Sequence, residues 1–351
     1  MGQCCSSGGD DDKSGASRGA DEAGTPVAPS GETAQQIEET PGAENEKPKE
    51  SEQSGGAKPV VFVLGASGSI GTATVQSLCS KFVDKVEIRA GVRNPDKADK
   101  LKEISGVTIV EANMADKDGL VTTLKGVSAL FIVVPGAENR VELAALTVDA
   151  AKEAGVKHIV SVSGPTVVLA DTITAGAQFK EIESKVSGIG IPFTFVRLTY
   201  FMDNYLGYAS TVKENGQFYA PFSGDKPFTV MAASDAGLAA ATILVDPSKH
   251  EGKTYDIVSC GNTMDDIAST LSTLLEKEVT FVKTEVNETR QTFLGMGVAE
   301  WQVDTLLDFF RLIEEGSPVA NLENLEDFKN ITGEDPTSLK DFLTNVVEAF
   351  K

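Results

Sequence analysis

At 351 residues with a 41% hydrophobic share, the chain can bury a full core, in one large domain or two smaller ones. Its formal charge of −21 sets it against nucleic acid, whose phosphates would repel it, and no apolar run reaches the ~18 residues of a membrane-spanning helix. Two histidines and four scattered cysteines exclude a histidine metal cage, a Ser-His-Asp triad and a disulfide framework, so no metal is expected and the cysteine usage fits a reducing compartment.

Residues 1–57 are rich in Gly, Ser, Ala, Pro and Glu, lack aromatic residues and show no hydrophobic period. Such a stretch cannot bury enough apolar surface to offset its ordering entropy, so disorder with an acidic charge excess is expected. Its start, Met1-Gly2-Gln3-Cys4-Cys5-Ser6, matches the myristoylation pattern, with Gly2 exposed once Met1 is removed. One acyl chain anchors only marginally. Palmitate on Cys4 or Cys5 would supply the second signal and hold the protein at the cytoplasmic face of a membrane; without acylation it would stay in the cytoplasm.

From Lys58 onward strands and helices alternate, which predicts a doubly wound parallel sheet with helices on both faces. Val60 to Leu64 reads as a strand buried on both sides, and Thr72 to Leu78 runs at helical period. Between them stands Gly65-Ala66-Ser67-Gly68-Ser69-Ile70-Gly71. Gly65 lets the chain turn, Gly68 lets a pyrophosphate approach the backbone, and Gly71 lets the helix pack on the sheet. The helix N-terminus then aims free N–H groups at the phosphates.

The second strand, Val86 to Val92, ends in Arg93-Asn94-Pro95-Asp96-Lys97. An NAD site carries an acidic residue near this point to hold the ribose hydroxyls. Arg93 stands there instead, with Lys97 one turn on, and Glu87 lies early in the strand, so NADP(H) is expected over NAD(H). Val107 to Glu111 is the third strand, followed by Asn113-Met114 where an adenine would lie. Ser128 to Val134 is the fourth, and Val134, Pro135 and Gly136 should border the nicotinamide. A helix follows over about 138–154, then a strand from His158 to Val162 ending in Ser163-Gly164-Pro165. A helical segment near 177–187 precedes a sixth strand, Phe193 to Arg197, after which Tyr200 to Tyr205 enters a long loop. His158, opening a strand, and His250, in a Lys-His-Glu-Gly loop, read as structural or solvated.

Past about 225 the pattern loosens into a small α/β lobe on the substrate side, against a core of about 58–225 with interleaved contributions. Ala233 to Val245 and Met264 to Leu275 read as helices, and Thr254 to Val258 and Val279 to Val282 as short strands. Two or three further helices reach Lys351, with Trp301 in the core of that part.

These motifs resemble the NmrA-like branch of the atypical short-chain dehydrogenase/reductase superfamily. The carriers are the glycine run, Arg93-Asn94-Pro95, Gly155-Val156-Lys157-His158-Ile159-Val160, Gly190-Ile191-Pro192-Phe193-Thr194, Val196-Arg197 and Phe201-Met202-Asp203-Asn204. Ile331-Thr332-Gly333-Glu334-Asp335-Pro336 with Asp341-Phe342-Leu343 looks like the family's closing segment. The resemblance covers about 58–351 and implies a Rossmann domain with NADPH as the usual ligand.

Short-chain dehydrogenases place a Tyr four residues before a Lys, which depresses the tyrosine pKa for proton exchange with a carbonyl. Lys180 resembles that lysine in position, yet Gly176 stands four residues earlier. Lys180 could still hold the ribose hydroxyls or pair with Glu183, and Ser163 could polarise a carbonyl or be a plain turn residue. Two functions follow from the resemblance: an NADPH-dependent oxidoreductase acting on a quinone or small carbonyl, and a regulatory protein that senses NADP(H) and acts through a protein partner. A sugar-nucleotide epimerase fits less well without the Tyr-x-x-x-Lys pair. Oligomeric state is open.

Overall fold

A computed structural model describes residues 57–351. The acylation pattern at Gly2, Cys4 and Cys5 and the disorder expected before Lys58 lie outside the described residues.

The first half alternates as predicted: β1 (Val60–Leu64), α1 (Ser69–Lys81), β2 (Glu87–Val92), α2 (Asp99–Lys102), β3 (Val107–Glu111), α3 (Lys117–Thr123), β4 (Val127–Ile132), α4 (Arg140–Ala154), β5 (His158–Ser163), α5 (Thr174–Gly188) and β6 (Phe193–Leu198). The second half adds β7 (Tyr200–Phe201), α6 (Ala209–Asn215), β8 (Gln217–Ala220), β9 (Phe228–Met231), α7 (Ala233–Val245), β10 (Thr254–Ile257) and β11 (Cys260–Asn262). It closes with α8 (Met264–Leu275), β12 (Thr280–Lys283), α9 (Val286–Gly295), α10 (Glu300–Glu314), α11 (Asp327–Thr332) and α12 (Leu339–Val346).

Seven strands form one sheet in the order β10-β6-β5-β4-β1-β2-β3, and every pairing in it is parallel. Alternation along each strand explains why both faces are covered. On β1, Val61 and Val63 point into a cluster with Val75 and Leu78 of α1 and Ala240 and Ile243 of α7. Phe62 and Leu64 point the other way, towards Leu120 of α3, Val148 of α4 and Ile182 of α5. The order reverses between β1 and β4, so the crevice at their carboxyl ends is the switch point where this architecture binds ligands.

Two expectations for the second half need correction. Residues 254–257 are not part of a loose lobe: β10 pairs with β6 as the seventh strand of the main sheet. Likewise α7 packs on α1, where a Cβ on Gly237 would lie 2.5 Å from the Ala73 carbonyl carbon, and its alanines keep the two helices close. The long loop expected after Tyr200 is a short strand and a 3-10 helix, Met202–Tyr208, with Tyr205 fully buried. A third apolar cluster, built on Tyr205, Phe218, Phe228, Leu271 and Phe310, forms the core of the remaining carboxy-terminal elements.

Candidate functional site

The glycine run divides by what each position would meet. Gly65 has φ +85°, and a Cβ there would sit 2.5 Å from the Val133 carbonyl oxygen, so this turn excludes side chains. A Cβ on Gly71 would lie 2.3 Å from the Gly65 oxygen. Gly68 is different. Its φ of −78° suits any residue, and within 4 Å a Cβ would meet only the Gly65 oxygen, at 3.5 Å. No described contact within the fold requires glycine at 68, and the space in front of it is open.

That space faces the first turn of α1, whose N-cap is Gly68 with no side-chain cap and no acidic residue following. The amides of Ser69, Ile70 and Gly71 are therefore available to an anion. The side chains of Ala66 and Ile70 are buried, so these residues can meet a ligand only through backbone. A cavity of about 490 Å³ starts at Ser67, Gly68 and Ser69 and runs back along α1 past Gln76 and Ser80, with Lys100 of α2 and Ser234 also in its wall; Arg93, Asn113 and Val134 to Gly136 are not in its lining. The uncapped amides at the head of α1 and the side-chain-free turn at Gly65 fit a dinucleotide pyrophosphate. Lys100 was not singled out from sequence, although it is a further cation within a few residues of Arg93 and Lys97.

Arg93 sits exposed immediately past β2, while its neighbours Arg89 and Lys102 are paired with Glu87 and Asp99. Lys97 is exposed at the end of a 3-10 turn that Asn94 caps through the Asp96 amide. Asn113 is exposed past β3, but its side-chain oxygen accepts from the Ala115 amide. Met114 departs from expectation: it is buried with Leu120 and Phe62, because the turn after Asn113 folds it inward. Val134 is half-buried, and Pro135 and Gly136 lie exposed past β4.

Beyond β4, β5 and β6 lies a second cavity, of about 520 Å³. Its floor is Gly136, Gly164 and Leu198 at the strand ends, and its wall is α10. Tyr200 stacks on Phe309 with centroids 5.1 Å apart and planes 5° from parallel. Trp301, expected in a core, is half-buried and lines this cavity against Gly136. Arg140 and Phe179 complete the wall, with the guanidinium 4.2 Å from the ring centroid. Sequence reasoning missed Arg140, Phe179 and Phe309; the available signal was the aromatic run Phe309-Phe310 on a helix with no sheet partner of its own.

The two catalytic candidates are not brought into this cavity. Ser163 is buried and donates to Glu183 at 2.6 Å, and Glu183 also accepts from Nε and Nη2 of Arg197 at 3.0 Å each. Ser163 thus spends its hydroxyl proton on Glu183, more than a plain turn residue does, and Glu183 is paired with Arg197 instead of Lys180. Lys180 is exposed, while its neighbour Phe179 takes the cavity-facing place on α5.

Gly176 explains the missing tyrosine. A Cβ there would lie 2.3 Å from the Thr166 carbonyl oxygen, because α5 packs tightly on the 3-10 helix Pro165–Leu169. No side chain fits. Tyr200 lines the cavity, and burial pushes its hydroxyl up to about 12, the opposite of the depressed value of the usual Tyr-x-x-x-Lys tyrosine. The histidines are structural, as expected: His158 Nε2 lies 2.9 Å from Thr194 Oγ1, and His250 Nδ1 lies 2.9 Å from the Tyr255 hydroxyl.

Fold and crevice together define the class: a doubly wound α/β protein with a glycine-rich turn at its switch point and an aromatic cavity beside it. The chain belongs to the NmrA-like family, whose sequence profile matches residues 57–343. It is 29% identical to the NAD(P)H azoreductase of Xenophilus azovorans over 254 residues, 72% of this chain and 87% of that protein. The NADPH-dependent quinone oxidoreductase of Escherichia coli, solved with NADPH, superposes with a TM-score of 0.72 at 26% identity, covering 82% of this chain and 99% of the other. NmrA, a negative transcriptional regulator solved with NADP, shares the fold at a TM-score of 0.68 and 20% identity, over 84% of this chain and 97% of that one.

Proposed function

We propose that the protein binds NADPH along the crevice and reduces a flat, electron-poor aromatic acceptor, of the quinone type, in the cavity under α10. The amides of Ser69 to Gly71 take the pyrophosphate, Arg93, Lys97 and Lys100 favour the 2′-phosphate, Asn113 borders the adenine, and Val134 to Gly136 border the nicotinamide. When bound, NADPH supplies the hydride. The acceptor gains that hydride and one proton from water, leaving a hydroquinone and NADP⁺.

The observation that carries this reading is Gly176. With no room for a tyrosine at the usual position, the cavity favours an acceptor whose own electron deficiency replaces help from a protein acid. The aromatic wall of Tyr200, Phe309 and Trp301 suits a planar ring by stacking. The azoreductase and quinone oxidoreductase relatives support the same choice.

A second reading, an NADP(H)-sensing regulator acting through a protein partner, is favoured by the same Gly176 and by Ser163 and Lys180 standing outside the cavity lining. The pattern around Gly2, Cys4 and Cys5 supports placement at the cytoplasmic face of a membrane, and Gly2→Ala should then shift the protein to the supernatant of a membrane pellet. The test between readings is turnover. Full-length protein with NADPH and menadione should show decay of the reduced-nicotinamide absorbance. Tight NADPH binding with no decay across a panel of quinones would exclude the enzyme and leave the sensor.

A further inference from the structure

The cavity under α10 carries a positive charge that no ion pair among the described residues neutralises. Arg140 is the first residue of α4, and it forms none of the ion pairs found among the described residues. One amine, Nη2, donates to the Ala175 carbonyl at 3.0 Å, and the guanidinium lies over Phe179. Its Nε is buried without a hydrogen-bond partner. The one acidic side chain that also lines the cavity, Asp308, faces Arg311 at 3.5 Å. Burial lowers the guanidinium to about 10, so it stays charged at neutral pH.

A cation held in an aromatic wall with donors unspent is costly unless something supplies the counter-charge. Bracing the Ala175 carbonyl uses one donor of five. With Nε enclosed, Nη1 and the second Nη2 hydrogen are the donors left for a carboxylate, and the stacked rings of Tyr200 and Phe309 with Trp301 suit a planar body. We infer that the acceptor of this cavity is a flat aromatic molecule bearing a carboxylate, which the Arg140 guanidinium receives at the Phe179 side while the ring lies against the Tyr200–Phe309–Trp301 wall. The inference rests on this cavity being the acceptor site, but its test reads binding and needs no turnover.

Trp301 is the only tryptophan in the sequence and it lines the cavity, so intrinsic fluorescence reports occupancy. Full-length protein saturated with NADP⁺ is titrated with anthraquinone-2-carboxylate and with the neutral 2-hydroxymethyl analogue, following quenching of Trp301. The carboxylate should bind at least about 10-fold tighter, the return on one charge-assisted contact. Arg140→Met should erase that difference while leaving the neutral ligand within about twofold, and Arg140→Lys should retain part of it. Equal affinities in the parent protein would overturn the inference without recourse to any variant, as would a preference that survives in Arg140→Met. Preferential binding with no NADPH oxidation by any quinone would defeat the reductase reading and leave the carboxylate site standing.

Discussion

Gly68→Ala and Gly71→Ala are one methyl group each, three residues apart, and should fail in opposite ways. At Gly68 the backbone is already extended, and a Cβ meets only the Gly65 oxygen at 3.5 Å, an ordinary contact. Two small effects compete: a stiffer unfolded chain stabilises by about 0.4–1 kcal/mol, and a poorer N-cap costs a similar amount. Net stability should move by less than about 1 kcal/mol. The methyl would project into the space that the proposed function gives to phosphate. Losing one charge-assisted hydrogen bond there costs about 1.5–3 kcal/mol, a 10- to 100-fold weaker NADPH Kd. At Gly71 the methyl overlaps backbone at Gly65 and at Ala66, which cannot swing aside, so overpacking of about 1–3 kcal/mol or more is expected. Urea unfolding and calorimetric titration with NADPH on both variants separate the effects. If Gly68→Ala keeps parental stability and binds NADPH as tightly as the parent, the space in front of α1 does not hold a dinucleotide.

Arg93→Ser should weaken NADPH about 10- to 100-fold and leave NADH unchanged, measured by calorimetry with both cofactors. Ser163→Ala removes a hydroxyl donated to a charged carboxylate and should lower unfolding free energy by about 1–3 kcal/mol in urea, with kcat/KM for menadione unaltered. His158 is buried, and burial, with the nearby His250 charge, lowers its pKa to about 4 from an ordinary 6.5. The unfolded chain therefore binds more protons between those values, so the stability His158 contributes is complete above pH 6.5 and is lost as pH falls towards 4. From pH 7.5 to pH 5 this amounts to about 2 kcal/mol. His158→Gln, which keeps a hydrogen bond to Thr194 without a titrating ring, should remove most of that pH dependence in urea melts at the two pH values.

The crevice was legible because its residues act locally. A buried apolar run, three glycines at fixed spacing and a cation at the next strand end are each decided within a few positions, and β1, β3 and α7 match their expected ranges. The aromatic cavity was not legible, because it joins residues far apart in the chain. Arg140 and Phe179 come from helices on one face of the sheet, and Trp301 and Phe309 from a helix over a hundred residues later. Amphipathic spacing on α10 cannot say whether its apolar stripe meets a core or a void, so Trp301 was assigned to the core. Ser163 illustrates the same limit. Its place at a strand end leaves a carbonyl-polarising role and a plain turn both open, whereas its partner lies twenty residues on, on a helix that the strand end must meet in space.

The return of the carboxy-terminal chain to the main sheet has a consequence for how this protein can be taken apart. α7 covers the face of α1 that would otherwise lie bare behind the phosphate turn, and β10 zips onto β6 beside the cavity. Severing the chain near 225 would strip the nucleotide shelf of its backing, and neither fragment would be a domain in the sense of folding unaided. The walls of the two proposed sites are thus drawn from both halves of the described chain. Exchanging acceptor preferences between relatives will require grafting single residues of α10, α4 and α5, because no one crossover point separates the two tasks.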